Sequence, residues 1–589
     1  MEEWILKRAY LDYREILKDF PLDEITAKLI SKKKFTNKKE IYNYLNSDTS
    51  LLHDPFKLKG MSEAVSLIAD DIENGNKILL SLDYDVDGII SGAIAFLGLS
   101  TIGARCSYIL PHRIKDGYGI NERIIEYARE NSVDTIITFD NGIAAFEPIK
   151  LAKNYGIKVI VTDHHDIPFT YDENQEKILN YVDADLIINP KQHDCEYPFK
   201  GICGGVIAYK LIEAIYTKLN KKSESLNEFI ALAAIATICD VMELRDENRS
   251  IVYHGLKNLE RISNPGLKEL LNLYGIERKI TSDDIGFKIG PCFNSSGRLS
   301  TASKSLDLLT LSNDEIPGIP EYLKNLAKEL YELNQRRKDI TKHAFEKAIS
   351  LIEANKMYDE NIILIYLEKV HESIAGIVAS RVKERYNKPV IVFTDSEEII
   401  KGSARSIESL DIFELISIHK EMLLKFGGHP MAAGMSIEKK NLNEFFDKLR
   451  ISISEYSVPN YKTYAVDMIL NFSQLNISLA NSLKSFEPYG KGNEKMIFSS
   501  LKVSISDIKI IGKNSNVLKM KIKQSEIQRE FICFSDIDSI IKKIGDKVKV
   551  TSDYNFFIDE NDTFDIIYTV GINVFNSTER LQLELISIR

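Results

Sequence analysis

Between Lys77 and Pro190, short apolar runs alternate with segments of helical length. Ile78 to Leu82, Cys106 to Pro111, Thr135 to Phe139, Lys158 to Val161 and Leu186 to Ile188 read as strands, and stretches such as Ile89 to Leu99 and Glu122 to Glu130 fill the gaps as helices. The alternation predicts an α/β fold with a doubly wound, mostly parallel sheet, in which ligands collect beyond the carboxyl ends of the strands. Ala231 to Asp240 reads as a buried helix that ends in a carboxylate. Glu321 to Ile352 contains neither Pro nor Gly and places Leu323, Leu326, Leu330, Leu333, Ile340, Ala344, Ala348 and Ile352 at helical spacing. This predicts a connector helix of about 30 residues, roughly 45 Å long. Ile362 to Tyr366 and Val390 to Phe393 restart a strand–helix pattern in a smaller α/β domain. Beyond it, Lys502 to Ile511, Val517 to Gln524, Glu530 to Phe534, Lys547 to Ser552 and Phe564 to Val574 are short and partly alternating, the pattern of a small β-barrel. The expected organisation is an N-terminal extension (1–50), a first α/β domain (51–320), the connector (321–352), a second α/β domain (353–455) and the barrel (456–589).

A chain of 589 residues exceeds the roughly 250–300 residues at which a single core stops growing, so several domains are expected. The composition, 44% hydrophobic and 28% charged, is that of an ordinary globular protein. No apolar run of about 18 residues lacks a charge, so no membrane-spanning helix is expected. The acidic start Met-Glu-Glu-Trp lacks the pattern of a secretory signal, and a cytoplasmic protein is expected. Six cysteines without a CxxC pair argue against a zinc knuckle or a disulfide framework. A net charge of −10 excludes a chain that is basic throughout, although nucleic-acid binding depends on local patches rather than on the total.

The candidate chemistry sits at the strand exits. Ser81-Leu82-Asp83-Tyr84-Asp85-Val86-Asp87-Gly88 follows the first strand, Asp140-Asn141-Gly142 the third and Asp163-His164-His165 the fourth. Hard oxygen ligands with imidazoles and no thiolates favour Mn²⁺ or Mg²⁺. In extended backbone Asp85 and Asp87 face the same side and reach metal from one strand end. The Asn141-Gly142 turn lets Asp140 project from its strand, where it could bridge two ions about 3.5 to 4 Å apart and support in-line displacement at phosphorus. Each residue alone has a plainer reading, since a strand-end Asp usually caps a turn or helix. The repetition of acids and a His pair at the exits of one sheet favours a metal site.

In order, Asp83 to Gly88, Phe139-Asp140-Asn141-Gly142, Asp163-His164-His165 and Asp240 resemble the four phosphoesterase motifs of the DHH superfamily. The likeness continues through His112 to Gly119, Gly290 to Leu299, His371 with Gly376 to Arg381, Gly402 to Ser406, Phe426-Gly427-Gly428-His429 and Glu487 to Asn493. Jointly these resemble the RecJ-type exonuclease family over almost the whole chain. The resemblance implies a DHH-type catalytic domain, a DHHA1 substrate-binding domain and a C-terminal OB-fold. It also implies two Mn²⁺ or Mg²⁺ ions held by Asp85, Asp87, Asp140, His164 and Asp240, with Asp140 as the bridge. Asp83 and Asp163 would be supporting acids, and His165 would face the scissile phosphate.

By the same resemblance Arg113, Arg298, Ser403 and Arg405 would bind phosphates, and Gly427 and Gly428 would let the backbone at His429 approach one closely. Tyr118 would stack on a base or else be a core tyrosine. In the barrel, Lys519, Lys521 and Lys523 alternate with Leu518, Met520 and Ile522. With Phe531, Tyr554 and Phe556 they suggest a groove for single strands, and an edge strand protected by lysines is the plainer alternative. The implied activity is a 5′ to 3′ exonuclease specific for single-stranded DNA, using a two-metal-ion mechanism in recombination and repair. A monomer is implied, with a helicase and a single-strand-binding protein as partners. Hydrolysis of short oligoribonucleotides or cyclic dinucleotides, and a non-catalytic DNA-binding scaffold, are the competing readings. Leu82, Cys239, Glu243, Cys292 and Ser295-Ser296 depart from the family pattern without removing a proposed ligand, which marks a divergent member.

Overall fold

The computed structural model describes residues 2–589 except 114–115, 173, 175, 222–223, 277–278, 312–317, 397–398, 460, 513–516, 535–536, 546–547, 551–555, 559–561 and 576–577. The first domain is built on five parallel strands in the order Arg105–Ile109, Lys77–Leu82, Thr135–Phe139, Lys158–Thr162, Leu186–Ile188. The chain steps outward in one direction after Lys77–Leu82 and then resumes on its other side, so the order reverses between Lys77–Leu82 and Thr135–Phe139. A crevice opens at such a reversal. The strands that flank it deliver Asp83 and Asp140.

Helix Val86–Thr101 leaves this crevice carrying Ile89, Ile90, Ala93, Ile94 and Leu99, all buried. Apolar around its circumference, it has to be covered on every side. Helices Gly204–Lys218 and Leu226–Cys239 pack on it within one core. Helices Glu122–Glu130 and Phe146–Asn154 cover the opposite sheet face through Ile124, Ile125 and Ile149.

The connector helix is longer than its apolar spacing suggested, running Ile319–Ala354 over 36 residues, about 54 Å at 1.5 Å per residue. Pro320 sits in its first turn, where a missing N–H costs nothing, so proline marks the start of this helix rather than a break before it. Leu323, Leu326 and Leu330 join the first core, and Ala344, Ala348 and Ile352 join that of the second domain. The second sheet has the order Lys425–His429, Ala432–Ile437, Ile399–Arg405, Val390–Ser396, Ile363–Leu367; only its last two strands are parallel.

The C-terminal barrel closes through Phe498–Ile511, Val517–Gln524, Ile527–Cys533, Thr578–Ile588 and Phe564–Phe575, the last returning to pair with the first. One expected barrel strand is replaced. Val548–Val550 pairs with Phe556–Ile558 in a separate hairpin, and the position in the barrel is taken by Thr578–Ile588, whose Leu583 and Leu585 face inward.

Residues before 50 are not an appendage. Strand Glu2–Leu6 pairs in parallel with Lys462–Val466, and Ile16, Leu29, Ile30, Ile41 and Tyr44 are buried in one core with Leu470, Phe486, Phe498 and Phe531. Arg249, on helix Asp246–Leu259, ties this assembly to the first domain. Its guanidinium donates to the carbonyls of Tyr44 (3.0 Å), Phe486 (3.2 Å), Glu487 (2.8 Å), Pro488 (3.4 Å) and Ser485 (3.5 Å), and lies 3.9 Å from the centre of the Tyr44 ring. Burial holds it below the ordinary arginine pKa.

Candidate metal centre

Four segments bring acids and imidazoles to the crevice. Asp85 caps helix Val86–Thr101, accepting from Gly88 N–H at 3.2 Å, and Asp87 lies in the first turn of that helix. The expectation that both project from extended backbone is therefore corrected: a helix begins between them, because Asp85 caps it and frees Asp87 to turn inward. Asp87 accepts from the N–H groups of Gly204 and Gly205, both at 2.7 Å, at the positive end of helix Gly204–Lys218. Only glycine fits there. A Cβ on Gly204 would lie 2.8 Å from Asp140 Cβ, and one on Gly205 would lie 2.5 Å from Ala236 Cβ.

Asp140 adopts φ +62°, so the sharp departure from the strand occurs at the acid itself. Asn141 stabilises it, donating to the carbonyls of Ser81 (3.1 Å) and Phe139 (2.8 Å) and accepting from Ile120 N–H at 3.0 Å. His164 Nε2 then stands 3.1 Å from Asp140 Oδ1, 3.5 Å from Asp87 Oδ2 and 3.7 Å from Asp240 Oδ2. Asp240 reaches this point as the C-cap of helix Leu226–Cys239.

Asp163 has a different environment. Its Oδ1 accepts from His164 N–H (2.8 Å), His165 N–H (3.0 Å) and His165 Nδ1 (2.7 Å), while Oδ2 accepts from Ile143 N–H (3.0 Å). Fully engaged, this carboxylate has little left for an ion. Asp83 is the opposite case. Both its oxygens are buried without a hydrogen-bond partner, as is Asp140 Oδ1.

Ligand atoms of Asp87, His164 and Asp240 lie within 4.8 Å of one another, as do those of Asp83, Asp85 and Asp140, and those of Asp140, His164 and His165. Burial and the neighbouring acids raise the carboxyls of Asp83, Asp85 and Asp140 above their ordinary values and push Asp240 up to about 8. Burial lowers His164. Burial also opposes charge on His165, but the hydrogen bond and charge of Asp163 win and raise it to about 9. Burial alone would raise Asp163, yet the His165 hydrogen bond and charge bring it below the usual carboxylate range. Repelling carboxylates with orphaned oxygens beside an uncharged imidazole fit divalent cations, which supply the missing charge and partners.

Around the cluster, Tyr118 is 49% exposed, so it is not a core residue. Its hydroxyl donates to the Asp140 carbonyl and lies 3.3 Å from His165 Nδ1. Arg113 lies over the Tyr84 ring at 4.7 Å. Arg298 donates to the Ser373 carbonyl of the second domain at 2.6 Å, and burial, with the nearby Arg113, lowers it to about 10. Arg405 reaches the hydroxyls of Ser380 and Ser403, both at 3.2 Å, beside Gly376 in the first turn of helix Ala375–Tyr386. Gly427, Gly428 and His429 form an exposed edge strand, where Gly428 has φ +156° and no room for a side chain. Among the described residues, no hydrogen bond or ion pair joins His429 to the acid cluster.

The barrel lysines stand on its outer face, as alternation required, but on a central strand paired on both sides, which removes the edge-strand reading. Lys519 pairs with Glu530 (2.8 Å), and Lys521 shares Asp507 with Lys509 (3.5 and 3.6 Å), so carboxylates offset part of the positive charge on this face. Phe531 is wholly buried and cannot stack on a base. Tyr554 and the Phe556 side chain lie outside the described residues. Sequence reasoning passed over Gly204-Gly205 and read Asn141 only as part of a turn, without its side-chain bonds. A glycine pair at the start of an apolar helix was the available signal for the former.

The chain matches the model of the DHH family N-terminal domain at residues 77–237, that of the DHHA1 domain at 359–455 and that of the RecJ OB domain at 466–587. It is 32% identical over 555 residues to the single-stranded-DNA-specific exonuclease RecJ of Haemophilus influenzae, covering 90% of this chain and 92% of that protein. The chain belongs to the RecJ family. The RecJ of Bacillus subtilis is 31% identical over 538 residues, covering 90% of this chain but 66% of its own length. The RecJ fold extends across the chain: the Mn²⁺ complex of RecJ from Thermus thermophilus aligns with a TM-score of 0.80 at 23% identity, covering 100% of this chain and 79% of that one. A manganese-bound exonuclease RecJ structure aligns at TM-score 0.59 and 27% identity, over 70% of this chain and 98% of that one.

Proposed function

We propose that this chain is a metal-dependent exodeoxyribonuclease that hydrolyses single-stranded DNA from its 5′ end, in recombination and repair. The observation that carries the reading is the set of orphaned oxygens of Asp83 and Asp140 converging with Asp85, Asp87, His164 and Asp240. Asp87, His164 and Asp240 would hold one Mn²⁺ or Mg²⁺ ion and Asp83 and Asp85 a second, with Asp140 shared; Asp83 thereby moves from support to ligand. When bound, such ions activate water and stabilise charge on the phosphoryl oxygens. Asp163 orients His165 and keeps it protonated, so that its free ring edge can meet a phosphate oxygen or pass a proton to the leaving group. Tyr118 steadies the Asp140 backbone and the His165 ring from the solvent side. In this reading Arg113 and Arg298 neutralise phosphates next to the cluster, and Ser403, Arg405, Gly427, Gly428 and His429 hold the strand end from the second domain.

A closed barrel and a connector helix exceed what a dinucleotide needs, which supports a longer strand as substrate. A cytoplasmic monomer acting with a helicase and a single-strand-binding protein is the corresponding cellular setting. Among the described residues no helix is long and apolar enough to cross a membrane. The test is digestion of 5′- and 3′-labelled single strands with Mn²⁺. Release from the 5′ end, abolished in Asp140→Ala, is expected, and release only from the 3′ end, or preference for dinucleotides over long strands, would overturn the reading.

A further inference from the structure

Phe287 is the most exposed large apolar side chain among the described residues, at 73%. It lies in the π-helical turn Ile285–Ile289, between helix Ser282–Asp284 and helix Gly290–Leu299. Such turns insert an extra residue that re-aims side chains, and they recur at functional sites. Two contacts locate the turn. On one side Gly286 and Gly290 pack against Ile238 and Cys239, the residues that lead into Asp240. On the other side Asp283, one turn before Phe287, pairs with Lys495 at 2.7 Å. Phe287 therefore lies in the seam between the acid cluster and the segment that enters the barrel.

That segment supplies a cation to the same seam. Lys491 is exposed and makes no hydrogen bond or ion pair through its ammonium among the described residues. Its backbone is fixed nonetheless: its carbonyl accepts from Leu244 N–H at 2.8 Å, and Gly490 and Asn493 bond reciprocally at 3.1 and 3.0 Å. Asn493 in turn donates to the carbonyls of Phe486 and Pro488, both at 2.7 Å. The Leu244 N–H that holds Lys491 lies four residues after Asp240, the C-cap of helix Leu226–Cys239, so the segment is anchored beside the acid cluster. A solvated aromatic ring costs apolar exposure, and among the described residues no carboxylate stands within ion-pair distance of the Lys491 ammonium. A single strand offers a base for the first and a phosphate for the second.

We infer that Phe287 and Lys491 form a strand-binding subsite on the barrel side of the metal centre, Phe287 stacking on a base and Lys491 contacting a phosphate. The inference rests on the exonuclease reading and adds residues to it.

The test compares KM for a long oligothymidylate and for a trinucleotide in the full-length protein with Mn²⁺. Phe287→Ala should raise KM for the long strand about tenfold, with Phe287→Trp restoring it. Lys491→Ala should lower the slope of log affinity against log salt by about 0.7, the contribution of one phosphate contact on a single strand, with Lys491→Arg restoring it. In both alanine variants the trinucleotide should be affected less than the long strand. Both side chains are exposed, so melting temperatures should stay within error, and a fall would be corrected for by measuring the folded fraction. An unchanged KM and salt slope in variants of a wild type that digests single strands would overturn the subsite alone, whereas a wild type that releases no nucleotide would overturn the exonuclease reading itself.

Discussion

Replacing Asp163 by Asn separates support from metal binding, because the change is nearly isosteric and removes one charge. In the structure Asp163 is surrounded only by donors: three point at Oδ1 and one, Ile143 N–H, at Oδ2. An amide in either orientation sets its NH₂ against an N–H group, so at least one charge-assisted bond is lost and two donors are forced together. Hydrogen bonds to charged groups are worth about 1.5–3 kcal/mol each, so Asp163→Asn should cost about 2–3 kcal/mol of stability. The charge that holds His165 protonated also disappears, so its pKa should fall below the value of about 9. Loss of an outer partner of this kind typically costs 10- to 100-fold in activity, and kcat on single-stranded DNA should fall by about that factor. Mn²⁺ affinity by calorimetry should change much less, since every atom of the Asp87, His164 and Asp240 group remains. A kcat within twofold of wild type, or a loss of metal binding as large as the loss of kcat, would refute this division of labour.

Gly205→Ala should cost about 1–3 kcal/mol through overpacking, because its Cβ would meet Ala236 at 2.5 Å. Thermal melts should show recovery in Gly205→Ala/Ala236→Gly, which restores the space. Arg249→Met removes the donor shared by five carbonyls, three of them in buried bonds. A loss of roughly 1–3 kcal/mol, the scale for leaving buried acceptors without their donor, should appear in denaturant midpoints, with earlier proteolytic separation of the barrel from the catalytic half. Burial and the nearby Arg249 lower Lys33 to about 8. The unfolded chain therefore holds this proton more tightly, and the contribution of this position should rise with pH from about 8 towards the unfolded value near 10.4. Comparing urea midpoints of wild type and Lys33→Met across that window should show the extra slope in wild type only.

Strand and helix identity was legible where one period dominates. The five parallel strands of the first sheet run within a residue or two of their apolar stretches, since strands covered on both faces read as unbroken apolar runs. Thr578–Ile588 escaped because alternating Leu583 and Leu585 are interleaved with charge, a half-buried pattern that a scan for apolar runs passes over. Phe531 illustrates another limit. An aromatic on a strand can face either side, and only closure of the barrel sends it inward.

By itself the sequence determined the chemistry: the acids, the His pair and their places at strand exits are local properties of the chain. Tertiary structure alone decided their division of labour. Asp83 and Asp163 read alike as strand-end carboxylates, yet the fold gives Asp163 four donors and gives the oxygens of Asp83 no hydrogen bond of good geometry, only the weaker influence of the Tyr84 and Gly119 N–H groups. The same holds for the ends of the chain. Nothing in residues 1–50 announces that they complete the barrel core and accept Arg249, because burial depends on partners more than 200 residues away, and hydrophobic contact is indifferent to separation along the sequence.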